Sequence, residues 1–237
     1  VKTLTSAEIS IAESTISSRA FYYLTHDALT RGQGLSVVRM GDGERQLAYS
    51  CMAHLLEPEK IVSDFDEEWR VRLGVEGITY GLLWRRMKSA ANLSKYFAPN
   101  INGLVMPEQF GLYHLFEPRK QYVDNFFCND WTPEQLIALY KEARHVLFIH
   151  ANRGLADAFQ IRLKNKLGVK LSYLQLAHWR DAENVANMAK AFDAPLVIFS
   201  AGPASKWIAV ELEQQRKVAL DVGNSAEIFA LPSLQDN

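Results

Sequence analysis

From residue 132 onward the chain repeats one pattern, a short apolar run rich in β-branched residues, a turn, then a helix-length amphipathic stretch. Thr132-Pro-Glu-Gln135 supplies a cap, a proline at the first helical position and a glutamine at the third, which predicts a helix to about Arg144. A strand over residues 145–150 follows, then a helix over 155–167 stopped by Gly168. A strand over 170–176, a helix over 181–192 and a strand over 196–201 come next. The turn Gly202-Pro-Ala-Ser-Lys206 opens a helix to about Arg216, and a last strand covers 217–222. Short strands alternating with helices of roughly 10 to 14 residues predict an α/β fold. The sheet is Rossmann-like and mostly parallel, with helices on both faces.

The first half is less regular. Residues 5–31 read as a helix, with capping-box spacing from Thr5 to Glu8 and one apolar face of Ile9, Ala12, Ile16, Ala20 and Tyr23. A strand over 35–40 leads directly into Gly41-Asp42-Gly43-Glu44 and a helix to about Leu56. Residues 63–100 read as irregular and helical, rich in Trp and Arg, without a strand. Residues 103–106, closed by Pro107, read as a second strand. There is no internal repeat or linker, so the 237 residues are expected to form one domain, with 64–127 as a helical insertion.

Composition narrows the function classes. Twenty-six basic against 27 acidic residues leave a net charge of -1, which offers no long-range attraction to nucleic acid or an anionic membrane. Cys51 and Cys128 lack C-x-x-C spacing and read as two buried thiols, which favours a reducing compartment. No apolar run is long enough to cross a bilayer and no signal-peptide pattern is present, so a cytoplasmic location is expected.

In an open parallel sheet ligands collect beyond the carboxyl ends of the strands, so the residues after each strand are the candidates. Gly41-Asp42-Gly43-Glu44 pairs two carboxylates across a glycine. Such hard oxygen donors suit Mn²⁺ or Mg²⁺, and the same residues also fit a tight turn that starts a helix. Gly202, Pro203, Ala204, Ser205 and Lys206 fit either a phosphate-binding strand-to-helix turn or a plain turn with a solvated lysine. His150 reads as a base, a ligand or a structural histidine. Arg153 reads as a phosphate partner or a surface ion pair. Trp179 is placed for stacking, Trp207 for packing, and Arg85-Arg86 on a solvated helix face. Neither a P-loop nor G-x-G-x-x-G is present, nor a serine or cysteine nucleophile motif, and a methyltransferase reading fits poorly.

Two separated segments together resemble one family. Val38-Arg-Met-Gly-Asp-Gly-Glu44 is similar to the strand-plus-GDGE signature of the GT-D fold glycosyltransferases. Residues 199–206, continuing through Glu211-Leu212 to Ala219-Leu-Asp-Val-Gly223, resemble their carboxy-terminal signature. The resemblance implies transfer of a sugar from a nucleoside diphosphate donor, usually a UDP-sugar, to a glycan or glycoconjugate acceptor. It implies Asp42 and Glu44 as ligands of Mn²⁺ or Mg²⁺ and as catalytic groups. It implies a donor site including Arg39, Gly41, Gly43, Arg153, Gly202 to Lys206, Asp221 and Asn224. His150, Glu108 and Asp181 are candidates for the base. Asn224 stands where the family often has His, and Lys206 where it commonly has a small or apolar residue. The alternative is a non-catalytic nucleotide-sugar or partner-binding domain, in which Asp42 and Glu44 only shape a turn.

Overall fold

The computed structural model describes residues 14–99, 121–200 and 202–230. Among them the sheet has eight strands, all parallel. In chain order these are β1 (Thr15–Ile16), β2 (Leu35–Met40), β3 (Tyr96–Pro99), β4 (Gln121–Val123), β5 (His145–His150), β6 (Lys170–Gln175), β7 (Leu196–Ser200) and β8 (Val218–Asp221). In space the order is β1-β4-β3-β2-β8-β7-β5-β6. The first four strands form one half and the last four the other, joined where β2 pairs with β8, Leu35 opposite Val218 and Val37 opposite Leu220.

Strand alternation divides the core into two layers. Val146 and Phe148 of β5 and Leu196 and Ile198 of β7 face one layer, with Phe21, Tyr140 and Phe159. Leu147, Ile149, Val197 and Phe199 face the other, with Leu83, Met87, Ala186 and Ile208. Apolar side chains on both faces of the central strands require helices on both faces, as the sequence predicts.

The helices are α1 (Ser18–Thr30), α2 (Asp42–Ala53), α3 (Glu67–Arg72), α4 (Tyr80–Leu93), α5 (Phe127–Asp130), α6 (Pro133–Ala143), α7 (Arg153–Arg162), α8 (Ala182–Ala191), α9 (Ile208–Gln214) and α10 (Ala226–Ala230). The capping box of α6 forms as read, with Thr132 Oγ1 accepting from Gln135 N and Gln135 Oε1 accepting from Thr132 N. The first helix differs from expectation. Ser17, extended, caps α1 by accepting from Ala20 N, and Thr15 and Ile16 pair with β4 instead of extending the helix. Its buried face is Phe21, Tyr22, Thr25, Ala28 and Leu29, while Tyr23 is exposed. The Thr5–Glu8 box and the strand at 103–106 lie outside the described residues.

β3 corrects the strandless reading of 63–100. It is four buried residues ended by a proline, too short for alternation to show, and β2 beside it supplies the pairing. The helix expected at 155–167 begins earlier, at Arg153, because Asn152 Oδ1 accepts from Leu155 N. It ends in a π-turn over Leu163–Leu167 closed by Gly168.

Both cysteines are buried and free, Cys51 in one core layer and Cys128 in the other. Burial pushes the Cys51 thiol up to about 12 and raises Cys128 as well. Neither thiol should react with a disulfide reagent in the native protein, and both should appear together on unfolding. The melting temperature should be indifferent to reductant. Rapid labelling of either thiol under native conditions is the contrary result.

Candidate active site

The connections leaving the neighbours β5 and β7 run in opposite directions across the sheet, to β6 and to β8, and such a switch point opens a crevice beyond the carboxyl ends of the strands. A cleft of about 240 Å³ lies at these strand ends, with Arg39, Glu44, Trp69, Arg72, Lys206 and Asn224 among its walls. An adjoining recess shares Glu44, Arg72, Lys206 and Asn224 and reaches His150, Ser200, Gly202 and Asp221. One depression therefore gathers the ends of β2, β5, β7 and β8.

Its floor is an ion-paired cluster. Asp221 closes β8 and is fully buried. Its Oδ2 accepts from Arg39 N at 3.0 Å and from Lys206 Nζ at 2.5 Å, and Oδ1 accepts from Gly223 N at 3.2 Å. Lys206 Nζ also lies 3.1 Å from Glu44 Oε1. Arg39, itself buried, donates from Nε to Asn125 Oδ1 at 2.8 Å and from Nη1 to the Val222 carbonyl. Burial alone would lower the Lys206 ammonium, but Asp221 and Glu44 hold it above its ordinary range. Burial alone would raise the Glu44 carboxyl, but Lys206 and the backbone donors hold it below.

Gly41-Asp-Gly-Glu44 is not an extended turn. Asp42, Gly43 and Glu44 form the first turn of α2, and Glu44 Oε2 accepts from Gly41 N at 3.0 Å in the manner of a capping box. Gly41 and Gly43 line the cleft, and a Cβ on Gly43 would meet Trp69 and Leu73 of the α3 segment at 3.4 Å, ordinary contact distance. The side chain of Asp42 lies outside the described residues.

The described residues alone do not make up a divalent-ion site. Both oxygens of Glu44 are engaged by the chain itself. No cluster of three His, Cys, Asp or Glu side chains able to hold an ion occurs among the described residues. An ion placed on Glu44 would also face a buried ammonium of like sign, and repulsion is weakly screened in such a site.

The loop after β7 also departs from its sequence reading. Pro203, Ala204 and Ser205 form a buried 3₁₀ turn behind the cleft, so only Gly202 and Lys206 of this segment line it. Lys206 is buried, not solvated. Gly202 has φ +66°, and a Cβ there would overlap the Leu73 carbonyl oxygen. Packing alone requires a glycine here.

His150 lines the recess, but its Nδ1 accepts from Asn152 N at 2.9 Å. The neutral ring thus carries its proton on Nε2, and burial pushes its pKa down. This tautomer makes His150 a hydrogen-bond donor to the cleft and unsuited to abstract a proton there. Arg153 is exposed beside Asp157 and does not line the cleft. Asp181, at the end of a 3₁₀ turn, is exposed and lines neither part of it, and Glu108 lies outside the described residues. Trp179 is structural. Its Nε1 donates to the Glu76 carbonyl at 2.8 Å, and the Arg86 guanidinium lies 5.2 Å from its ring and 5.7 Å from that of Trp207. Arg86 also donates to the Ala204 carbonyl, which corrects its reading as a solvated residue.

Trp69 and Arg72 went unassigned in the sequence because α3 is six residues long within an irregular stretch. Lys206 and Asp221 carried a usable signal. Each is a lone charge inside an apolar run, and opposite charges so embedded usually meet.

A parallel α/β sheet with a cleft beyond the carboxyl ends of its strands is an architecture in which ligands bind at that edge. No protein-family model and no curated protein matches the chain, but solved structures do. A domain of unknown function 1792, described as having a distinct glycosyltransferase fold, superposes with TM-score 0.56 at 12% identity, covering 95% of this chain and 83% of that one. A glycosyltransferase with the same domain from Streptococcus sanguinis gives 0.53 at 16% identity, over 89% and 82%. The chain has this glycosyltransferase fold.

Two outcomes are expected. Gly202→Val should lower the melting temperature by roughly 5 °C or more, since strained left-handed backbone alone costs about 1–3 kcal/mol. A fully stable variant would contradict the packing role, which scanning calorimetry can decide. The second concerns pH. The carboxyl of Glu44 is depressed when folded, so its stabilisation is complete above its ordinary value of 4.5 and is lost as pH falls through the folded value. Lys206 is raised, so its share is complete below 10.5 and lost as pH climbs through the folded value. The stability gap between wild type and Glu44→Gln, measured by urea unfolding, should therefore shrink below pH 4.5. A constant gap would mean the ion pair is not what holds Glu44.

Proposed function

We propose that this protein is a glycosyltransferase, moving a sugar from a nucleoside diphosphate donor, with UDP as the nucleotide, to a glycan or glycoconjugate acceptor. The observation that carries this reading is the grouping of Lys206, Arg39 and Arg72 around one cleft at the carboxyl ends of the strands of a glycosyltransferase fold. Arg72 stands on the outer wall, where its guanidinium suits a diphosphate. Trp69 beside it offers a flat apolar face for the base or sugar. Asn224 and the Nε2–H of His150 supply neutral polar groups of the kind that orient hydroxyls. The acceptor is proposed to enter from the side of residues 64–127, since α3 forms the open wall.

Transfer in such a site depends first on positioning. Holding the acceptor hydroxyl against the anomeric carbon replaces a bimolecular encounter with an effectively intramolecular one. Fixed positive charge at the diphosphate then stabilises the leaving group as the glycosidic bond opens. Two free buried thiols accord with a reducing compartment, and cytoplasmic residence is part of the proposal. No helix among the described residues is long and apolar enough to cross a membrane.

The test is a thermal-shift panel of nucleoside diphosphates followed by a donor-hydrolysis assay. UDP at about 100 times its dissociation constant should stabilise the protein by about 2.7 kcal/mol, a shift of roughly 5–10 °C for a chain of this size. ADP and GDP should shift it less, and UDP-sugars should be slowly hydrolysed without acceptor. A larger shift with another nucleotide would reassign the donor. Donor binding without any turnover would reassign the protein as a binding domain.

A further inference from the structure

Lysine is almost never fully buried without a partner, and an ammonium has three N–H donors to satisfy. Lys206 has two partners among the described residues, Asp221 Oδ2 at 2.5 Å and Glu44 Oε1 at 3.1 Å. Its third donor has none among the described residues, although the side chain is only 2% exposed and lines both parts of the cleft. Buried polar groups are ordinarily satisfied, so the spare donor faces a ligand's place. Glu44 meanwhile gives one oxygen to Gly41 N and the other to this ammonium. Glu44 and Asp221 are balanced in charge by Lys206 and Arg39.

We propose that Lys206 is the resident cation of the donor site, occupying on Glu44 the place of a divalent ion, and that the protein binds and cleaves its donor without one. The inference rests on the nucleoside diphosphate reading above. A divalent ion entering at Glu44 must either sit against the ammonium or displace it. Displacement strips Asp221 of its only charged side-chain partner among the described residues, and breaking a buried pair in that way is strongly unfavourable. An anion meets the opposite situation, because the spare donor of Lys206 and the guanidinium of Arg72 both accept negative charge. In the transfer itself the bond from the anomeric carbon to the β-phosphate oxygen breaks, and its electron pair stays on that oxygen. The acceptor oxygen bonds to the anomeric carbon and its proton passes to bulk water. Lys206 stabilises the charge gained by the diphosphate, which is the role otherwise given to the metal.

Two measurements on the full chain test this. In the first, Mn²⁺ alone is titrated by electron paramagnetic resonance. The wild type should bind none stoichiometrically, and a one-to-one site abolished in Glu44→Gln overturns the proposal. In the second, inorganic pyrophosphate and UDP are titrated by calorimetry in EDTA and in Mn²⁺. Both should bind equally under the two conditions. Lys206→Met should bind about 10- to 100-fold more weakly, the share of a charged hydrogen bond. Binding that requires Mn²⁺, absence of binding under either condition, or a folded Lys206→Met variant with wild-type affinity each overturns it. Should Lys206→Met not fold, the wild-type manganese titration and the EDTA comparison decide alone. Pyrophosphate bound in EDTA while UDP is refused keeps Lys206 in this role and removes the nucleotide reading instead.

Discussion

Asp221 is a carboxylate with no exposure to solvent, sited where the two halves of the sheet meet. Its oxygens accept from the Arg39 backbone on β2, from Gly223 in the turn after β8, and from Lys206 in the loop after β7. Such a group is tolerable in the core only when all its acceptors are used. Those bonds thereby fix the relative positions of three strand ends. Lys206 passes the constraint to Glu44, and Glu44 passes it to the start of α2 through Gly41 N. The walls of the cleft are registered to one another through a single buried charge.

A second set of contacts fixes the same loops from behind. Arg86 on α4 lies between the rings of Trp179 and Trp207 and donates to the carbonyls of Trp179 and Ala204. Gly74 accepts from Trp179 N, which ties the end of α3 to the loop after β6. The helices between β2 and β3 thus brace the ligand-facing loops of the other half. Mutations in this bracing would be felt at the cleft with no change in any residue that lines it.

Much of the second half was legible in the sequence because it obeys local rules. The Thr132 cap, the β5 run and the alternation of β7 each declare themselves within ten residues or fewer. The first half resisted because its strands depend on partners. β1 has two residues, β4 three and β3 four, and each exists through pairing. At the strand ends, sequence named loops that the structure brings together around one cleft but could not show which of their side chains are buried. Gly43 and Gly202 do line the cleft, and Gly202 is in addition held against the Leu73 carbonyl, a contact no local pattern announces. Lys206 could be read as solvated or as a phosphate contact from its own turn, and its burial depends on Asp221, 15 residues later.

The pairing of β2 with β8 has a consequence for how the protein is made. β2 ends at residue 40 and its partner begins at residue 218, so ribosomal synthesis delivers one long before the other. Until then β2 has an unpaired edge facing what will become the middle of the sheet, and such edges invite wrong partners. Contacts this distant in sequence also form late. Arg39, Glu44 and Lys206 can meet Asp221 only after β8 emerges, so a nascent or truncated chain has no assembled cleft. Completion of the site and closure of the sheet are one event.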